Sequence, residues 1–306
     1  PIRWAVIAGG AIALAVATRF ERRRRASAAM VRIDRRPVAV AIFVGLVLAL
    51  AQTVPLVELP LFFELVLSYS PVIAILGLAP LFAAMVLAGP AAGYLLAHVS
   101  PRVLVGTGVV AVGVGDLVLA ALVGPGRGYL AFVVPCLLVG AGFVVATTVR
   151  TAIIFAAVPR GLPATSAALN EASLAVGSRI GIVLTSAIVA RTAVDSYVTA
   201  LGAVPASVVD HAAAQFRALI TVTEDLPFAE VASAVHPGDI RPYVAAYDDG
   251  VRLALVFAAA AAIVAGVAAL VLLGRHDPLT SMWEHGDERT AEPSIGSLAT
   301  PAAKEG

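Results

Sequence analysis

The sequence predicts an all-α membrane protein with seven transmembrane helices. Three observations carry that prediction: 60% of the 306 residues are hydrophobic, only 13% are charged, and the charges avoid the long apolar runs. A soluble domain holds roughly 45 to 50% apolar and about 25% charged residues, so this chain has more apolar surface than a water-facing fold can hide. A mean hydropathy of +0.94 agrees. Runs of about 18 or more apolar residues can cross the roughly 30 Å hydrocarbon core as helix. The runs centre on residues 4–18, 38–57, 72–97, 103–123, 129–149, 172–190 and 251–273. Of 21 Lys and Arg and 20 Asp and Glu, only Asp116, Arg179 and Arg252 fall inside them.

Taken in order, run 4–18 is short, has only Arg3 before it and begins near Pro1. It reads as a truncated transmembrane helix, and the chain as the carboxyl part of something longer. Segment 19–37 carries Arg19, Arg22, Arg23, Arg24, Arg25, Arg32, Arg35 and Arg36, whereas 58–71 has no basic residue. Cytoplasmic flanks are enriched in Lys and Arg, so 19–37 is a basic cytoplasmic linker. Threading onward puts 98–102, 150–171 and the 274–306 tail inside, and 124–128 and 191–250 outside. Apart from that last segment, only Arg3 and Arg127 then lie outside. The outer segment 191–250 is acidic and broken by Pro205, Pro227, Pro237 and Gly238. Its stretch 207–220 has the helical spacing of a short amphipathic helix. The tail is polar, contains Pro293 and Pro301, and is expected to be disordered.

Composition also excludes function classes. A net charge of +1 offers no basic face for nucleic acid. Cys136 is the single cysteine, which rules out internal disulfides, thiolate clusters and redox pairs. There is no HExxH, no GxSxG, no phosphate loop and no glycine fingerprint, so an enzyme is not expected. No cofactor or metal is expected either. His98, His211, His236, His276 and His285 all fall in loops or the tail. A retinal protein needs a lysine in the membrane, and the one lysine is Lys304 in the tail.

Within the runs, Gly89, Pro90 and Gly93 sit together, and Gly177 and Gly181 form G-x-x-x-G. Small residues let helices approach closely, either as static packing or as surfaces that rock during transport. Pro55, Pro60, Pro80, Pro90 and Pro135 remove helical hydrogen bonds in or near the membrane, and the freed carbonyls need neighbours or water. Arg179, near the middle of its run, should face protein or a wet cavity and have a partner. Glu58 lies between Pro55 and Pro60, where a partly desolvated carboxylate either caps the outer helix end or exchanges a proton for a cationic substrate. Glu64, Arg150, Asn170 and Glu171 are expected at the membrane surface in water. Phe43, Phe62, Phe63, Phe82, Phe132 and Phe143 are expected mainly as packing or lipid contacts, with an aromatic substrate lining as the alternative.

Four stretches carry a family resemblance: LPLFFELVLSYSPVIAILGLAP (59–80), GYLLAHVSPRVL (93–104), VPRGLPATSAALNEASLAVGSRIG (158–181) and YDDGVRLA (247–254). They resemble the carboxyl-terminal half of the fourteen-helix drug:proton antiporters of the major facilitator superfamily. In the second stretch Gly93, Leu95, Pro101 and Arg102 match the degenerate copy of the superfamily's cytoplasmic loop motif. The resemblance covers nearly residues 1–273 and implies that six of the helices, within 38–273, form the carboxyl-terminal bundle of a major facilitator fold. Two positions depart from the pattern: Ala97 stands where the loop motif usually has an acid, and Arg179 where the thirteenth helix often has glycine. The resemblance also puts Asp116 on a peripheral helix, which favours a structural role over a proton site.

The function this implies is proton-coupled efflux of drugs or small amphipathic compounds by a secondary active transporter. Candidates for the substrate or proton path are Glu58, Arg179 and Asp116. The implied partners are the lipid bilayer, protons, a small amphipathic or cationic substrate and the missing amino-terminal transporter half. The expected location is a cell membrane, as a multi-pass protein of the bacterial inner-membrane type. The alternative is a non-transporting scaffold or sensor that binds a partner through the outer loop.

Overall fold

The computed structural model describes residues 35–124, 126–158, 163–201 and 241–273. They form helices α1 (Arg35–Leu65), α2 (Pro71–Leu76), α3 (Ala79–His98), α4 (Pro101–Leu122), α5 (Leu130–Ala157), α6 (Pro163–Leu201) and α7 (Arg241–Leu272). Six stretches are long and apolar enough to cross a membrane, with α2 and α3 together making one, Pro71–His98. The protein is therefore read as membrane-spanning. The expected span 4–18, the 19–34 part of the basic linker, residues 202–240 and the tail from 274 lie outside the described residues.

Proline sets many of the helix starts. Pro71, Pro80 and Pro101 occupy the first turns of α2, α3 and α4, where the missing N–H would be unpaired anyway. Pro163 opens α6. The break at Gly77 and Leu78 divides the third expected span, and Pro80 restarts it one turn later.

Four helices run further than the sequence predicts. α1 continues through Pro55 and Pro60 to Leu65, beyond the expected end at residue 57. Internal prolines are tolerated in membrane helices because neighbours can satisfy the freed carbonyls. α5 continues to Ala157 rather than ending at 149, and α6 and α7 extend into the expected outer loop 191–250 as far as Leu201 and from Arg241. No glycine or proline interrupts 191–201, and the next breakers are Gly202 and Pro205. An apolar-run criterion marks the end of hydrocarbon, whereas the helix ends where its hydrogen bonding ends.

The spans pack in a repeating scheme. α1 lies against α6 and α7, just as α5 lies against α3 and α4, while α1 meets α5 and α4 meets α7. The neighbour list is thus nearly unchanged when the first three spans are exchanged for the last three. It breaks at two pairs: α6 packs on α7 whereas α3 barely touches α4, and α1 touches α4 whereas α5 and α7 scarcely meet. Three spans is an odd number, so two such repeats run in opposite directions through the membrane.

Glycine makes the closest contacts. A Cβ on Gly108 would lie 2.9 Å from the carbonyl of Gly142, and one on Gly142 would lie 2.6 Å from that of Gly108, so α4 and α5 meet backbone to backbone. The end of the bundle expected to face outward is filled by rings. Phe62, Phe63 and Phe132 are fully buried, with centroids of 5.4 Å from Phe132 to each of the other two and 6.0 Å between Phe62 and Phe63. Tyr129 closes the cluster edge-on to Phe63 and donates to the Gly77 carbonyl at 3.3 Å. Phe43 and Phe82 face outward instead.

Candidate functional site

Because α1 stays helical past Pro55, Glu58 is carried to the seam with α7. There the Tyr247 hydroxyl donates to Glu58 Oε2 at 2.7 Å, and Glu58 is only 3% exposed. Asp248, next to Tyr247, is also buried, and neither of its oxygens accepts a hydrogen bond, with the Arg252 charge nearby. Arg252 stands one turn further along α7, and its Nη2 donates to the Val123 carbonyl at 2.8 Å, tying α7 to the end of α4. Ser196 on α6 donates to Asp249 at 3.2 Å. These bonds join the outer ends of the helices around Glu58. Sequence reading singled out Glu58 but not its partners. The available signal was the Tyr-Asp-Asp triplet just ahead of an apolar run.

A second polar cluster lies at the ends of α1, α5 and α6 that are expected to face inward. Its centre is Arg150, which corrects the expectation of a solvated surface arginine: it is fully buried. α5 runs two turns past the predicted span end, so Arg150 sits inside a helix that other helices cover. Its Nη2 donates to Asn170 Oδ1 at 2.7 Å, and its Nη1 donates to Ser173 Oγ at 2.8 Å and to the Ala41 carbonyl at 3.5 Å. Thr151 donates to the same Asn170 oxygen at 3.0 Å, and Asn170 Nδ2 donates to Glu171 at 3.1 Å. Gly45 makes room on α1, since a Cβ there would run into the guanidinium. Asn170 is likewise buried rather than solvated, while Glu171 is exposed as expected. Asn170 and Ser173, three residues apart on one helix face, were the signal in the sequence.

Asp116 is completely buried on α4, and neither carboxyl oxygen has a protein partner. Cys136 of α5, also fully buried, is a titratable neighbour. Arg179 does not find the partner expected of it. It is exposed on α6 and, among the described residues, makes no hydrogen bond or ion pair.

The glycines divide. Gly177 and Gly181 press on α1, where added Cβ atoms would lie 2.8 Å from Leu46 Cα and 3.1 Å from Leu50 Cα. Gly89 and Gly93 would meet nothing within 4 Å, and Pro90 between them is exposed. In the loop-motif stretch, Pro101 begins α4, Arg102 Nε is buried without a partner, and His98 Nδ1 lies 2.9 Å from the Tyr94 carbonyl. The structure does not bring Glu58, Asp116 and Arg179 together at one place. Glu58 faces α7, Asp116 is enclosed on α4, and Arg179 points outward from α6. No three His, Cys, Asp or Glu side chains among the described residues are grouped so as to hold a metal ion. No protein-family model matches the chain, and no curated protein matches it.

Proposed function

We propose that this chain forms one helix bundle of a secondary transporter that exports small amphipathic compounds in exchange for protons. The observation that carries the reading is the neighbour scheme of the spans, nearly unchanged when the first three are exchanged for the last three. Inverted repeats of this kind are the architecture of alternating-access carriers, in which one bundle rocks against another around a site near the bilayer midplane. A single bundle offers half of such a site, so transport requires a second one, which the family resemblance identifies as the amino-terminal half.

Glu58 is the proton-carrying group in this reading. An ionisable side chain within a span is expensive to keep and is a functional candidate by default. Its hydrogen bond to Tyr247 crosses from α1 to α7, so gain or loss of a proton at Glu58 alters the grip of one repeat on the other. The test is Glu58→Gln in the intact carrier, reconstituted in vesicles with an imposed proton gradient. Gradient-driven export is expected to stop while exchange of substrate without a gradient continues. Unchanged gradient-driven export would remove Glu58 from the mechanism.

A further inference from the structure

The ionisable groups of the described spans sort by place. Glu58, Asp116, Arg150 and Asp248 are buried in the bundle. Glu64, Arg102, Glu171, Arg191, Asp249 and Arg252 lie near helix ends or close to the expected membrane surfaces. Arg179 alone among the described residues is both mid-span and exposed. Its direction follows from its neighbours. Gly177 and Gly181 both press on α1, and Arg179, two residues from each, lies about 200° around the helix from them at roughly 100° per residue. It therefore points away from α1.

Nothing on its own helix neutralises it. The positions one turn away are Ala175, Val176, Ile182 and Val183. Glu171 is eight residues below, about 12 Å along the axis, and Arg191 twelve residues above, about 18 Å, at roughly 1.5 Å per residue. The guanidinium is therefore short of both interfaces. A bare cation turned to hydrocarbon is costly, and such residues face a wet cavity or a counter-charge. Val176 (47% exposed), Ile180 (43%) and Val183 (71%) flank it on the open face.

We infer that Arg179 is the anchor for the head group of an amphipathic monoanion, with Val176, Ile180 and Val183 forming the apolar wall against which its body lies. This rests on the transporter reading and gives it a substrate class. A guanidinium is always charged and presents a fork of donors that matches a carboxylate or sulfonate in two hydrogen bonds. The charge exposed at mid-membrane is positive, while the carboxyl of Glu58 is buried against α7. The substrate thus meets a cation and the proton is carried elsewhere.

The test uses the intact carrier in vesicles and two permanently charged probes, a naphthalene sulfonate and a naphthylmethyl trimethylammonium salt. Neither has a neutral form that leaks under a pH gradient. The wild type is expected to move the sulfonate in preference to the ammonium. Arg179→Gln should cut sulfonate transport roughly tenfold or more, the loss expected for hydrogen bonds to a charged group. Arg179→Lys should keep part of it. Val183→Asp, one helical turn away, should neutralise the arginine from within the helix and abolish sulfonate transport without removing the side chain. That pair is net neutral, so its insertion in the membrane is not compromised.

Preference for the ammonium, or sulfonate transport untouched by Arg179→Gln and Val183→Asp, overturns the inference and leaves the carrier reading standing. An equal loss of both probes in Arg179→Gln means that Arg179 pairs with a carboxylate of another helix bundle, which also overturns it. Failure of the wild type to move either probe sinks the carrier reading and the inference with it.

Discussion

Replacing glycine by alanine within this one chain should change stability in opposite directions at different helices. In a helix interior the substitution gains about 0.5 to 1 kcal/mol from reduced backbone freedom in the unfolded chain. At Gly89 and Gly93 an added Cβ meets nothing within 4 Å, so that gain should be realised in full. At Gly181 the Cβ would lie 3.1 Å from Leu50 Cα and Thr53 Cβ, and a shift of a few tenths of an ångström should cancel most of it. At Gly177 it would lie 2.8 Å from Leu46 Cα and collide with that residue's carbonyl oxygen. Both are backbone atoms, so α6 must move away from α1, at the roughly 1 to 3 kcal/mol typical of overpacking. The net change is about zero to 2.5 kcal/mol of destabilisation at Gly177, against about 0.5 to 1 kcal/mol of stabilisation at Gly93. At roughly 2 °C per kcal/mol for a chain of this size, Gly93→Ala should melt about 1 to 2 °C above the wild type and Gly177→Ala up to about 5 °C below it. The chain supplies its own reporter. Cys136 is the single cysteine and is fully buried, so a thiol-reactive fluorogenic dye labels it only as the bundle opens. The expected order of melting temperatures, highest first, is Gly93→Ala, then Gly181→Ala, then Gly177→Ala. A Gly177→Ala protein that melts as high as Gly93→Ala would refute the assigned α1–α6 contact.

Three further outcomes follow from buried groups. Asn170→Ala removes the acceptor shared by Arg150 and Thr151 and should cost about 1.5 to 3 kcal/mol, more than Ser173→Ala, with both read by the same thermal assay. Equal stability of Asn170→Ala and the wild type would show that the arginine cluster does not hold the inner ends together. Asp116→Leu replaces a fully buried carboxyl that has no protein partner, and should raise the melting temperature while leaving transport intact. Loss of proton-driven transport in that variant would instead make Asp116 a proton site. Phe63→Ala opens a cavity in the aromatic cluster at the outer ends of α1 and α5, and should destabilise by about 3 to 5 kcal/mol. A cost below about 1 kcal/mol would mean that the cluster is loosely packed.

The amino-acid sequence alone determined that the chain is helical and spans a membrane. Uncharged apolar runs of membrane length leave the backbone no alternative in hydrocarbon, and the six described spans lie where those runs are. It also singled out Glu58, because a carboxylate between two prolines next to an apolar run is rare enough to see without a structure. What it misjudged was which polar residues are covered. Arg150 and Arg179 each sit on an apolar helix, and nothing local distinguishes them. Arg150 is enclosed because α6 folds back to present Asn170 and Ser173, and because Gly45 on α1 leaves space for its guanidinium. Arg179 is left open because Gly177 and Gly181 turn the opposite side of α6 toward α1. Reading both glycine groups as helix-packing or rocking surfaces likewise could not separate Gly177, pressed on a neighbour, from Gly93, which meets none within 4 Å. Hydropathy is a sum over a window and survives any arrangement of the helices. Burial of a single side chain depends on the neighbour that arrives from far along the sequence, and so it was decided only by tertiary packing.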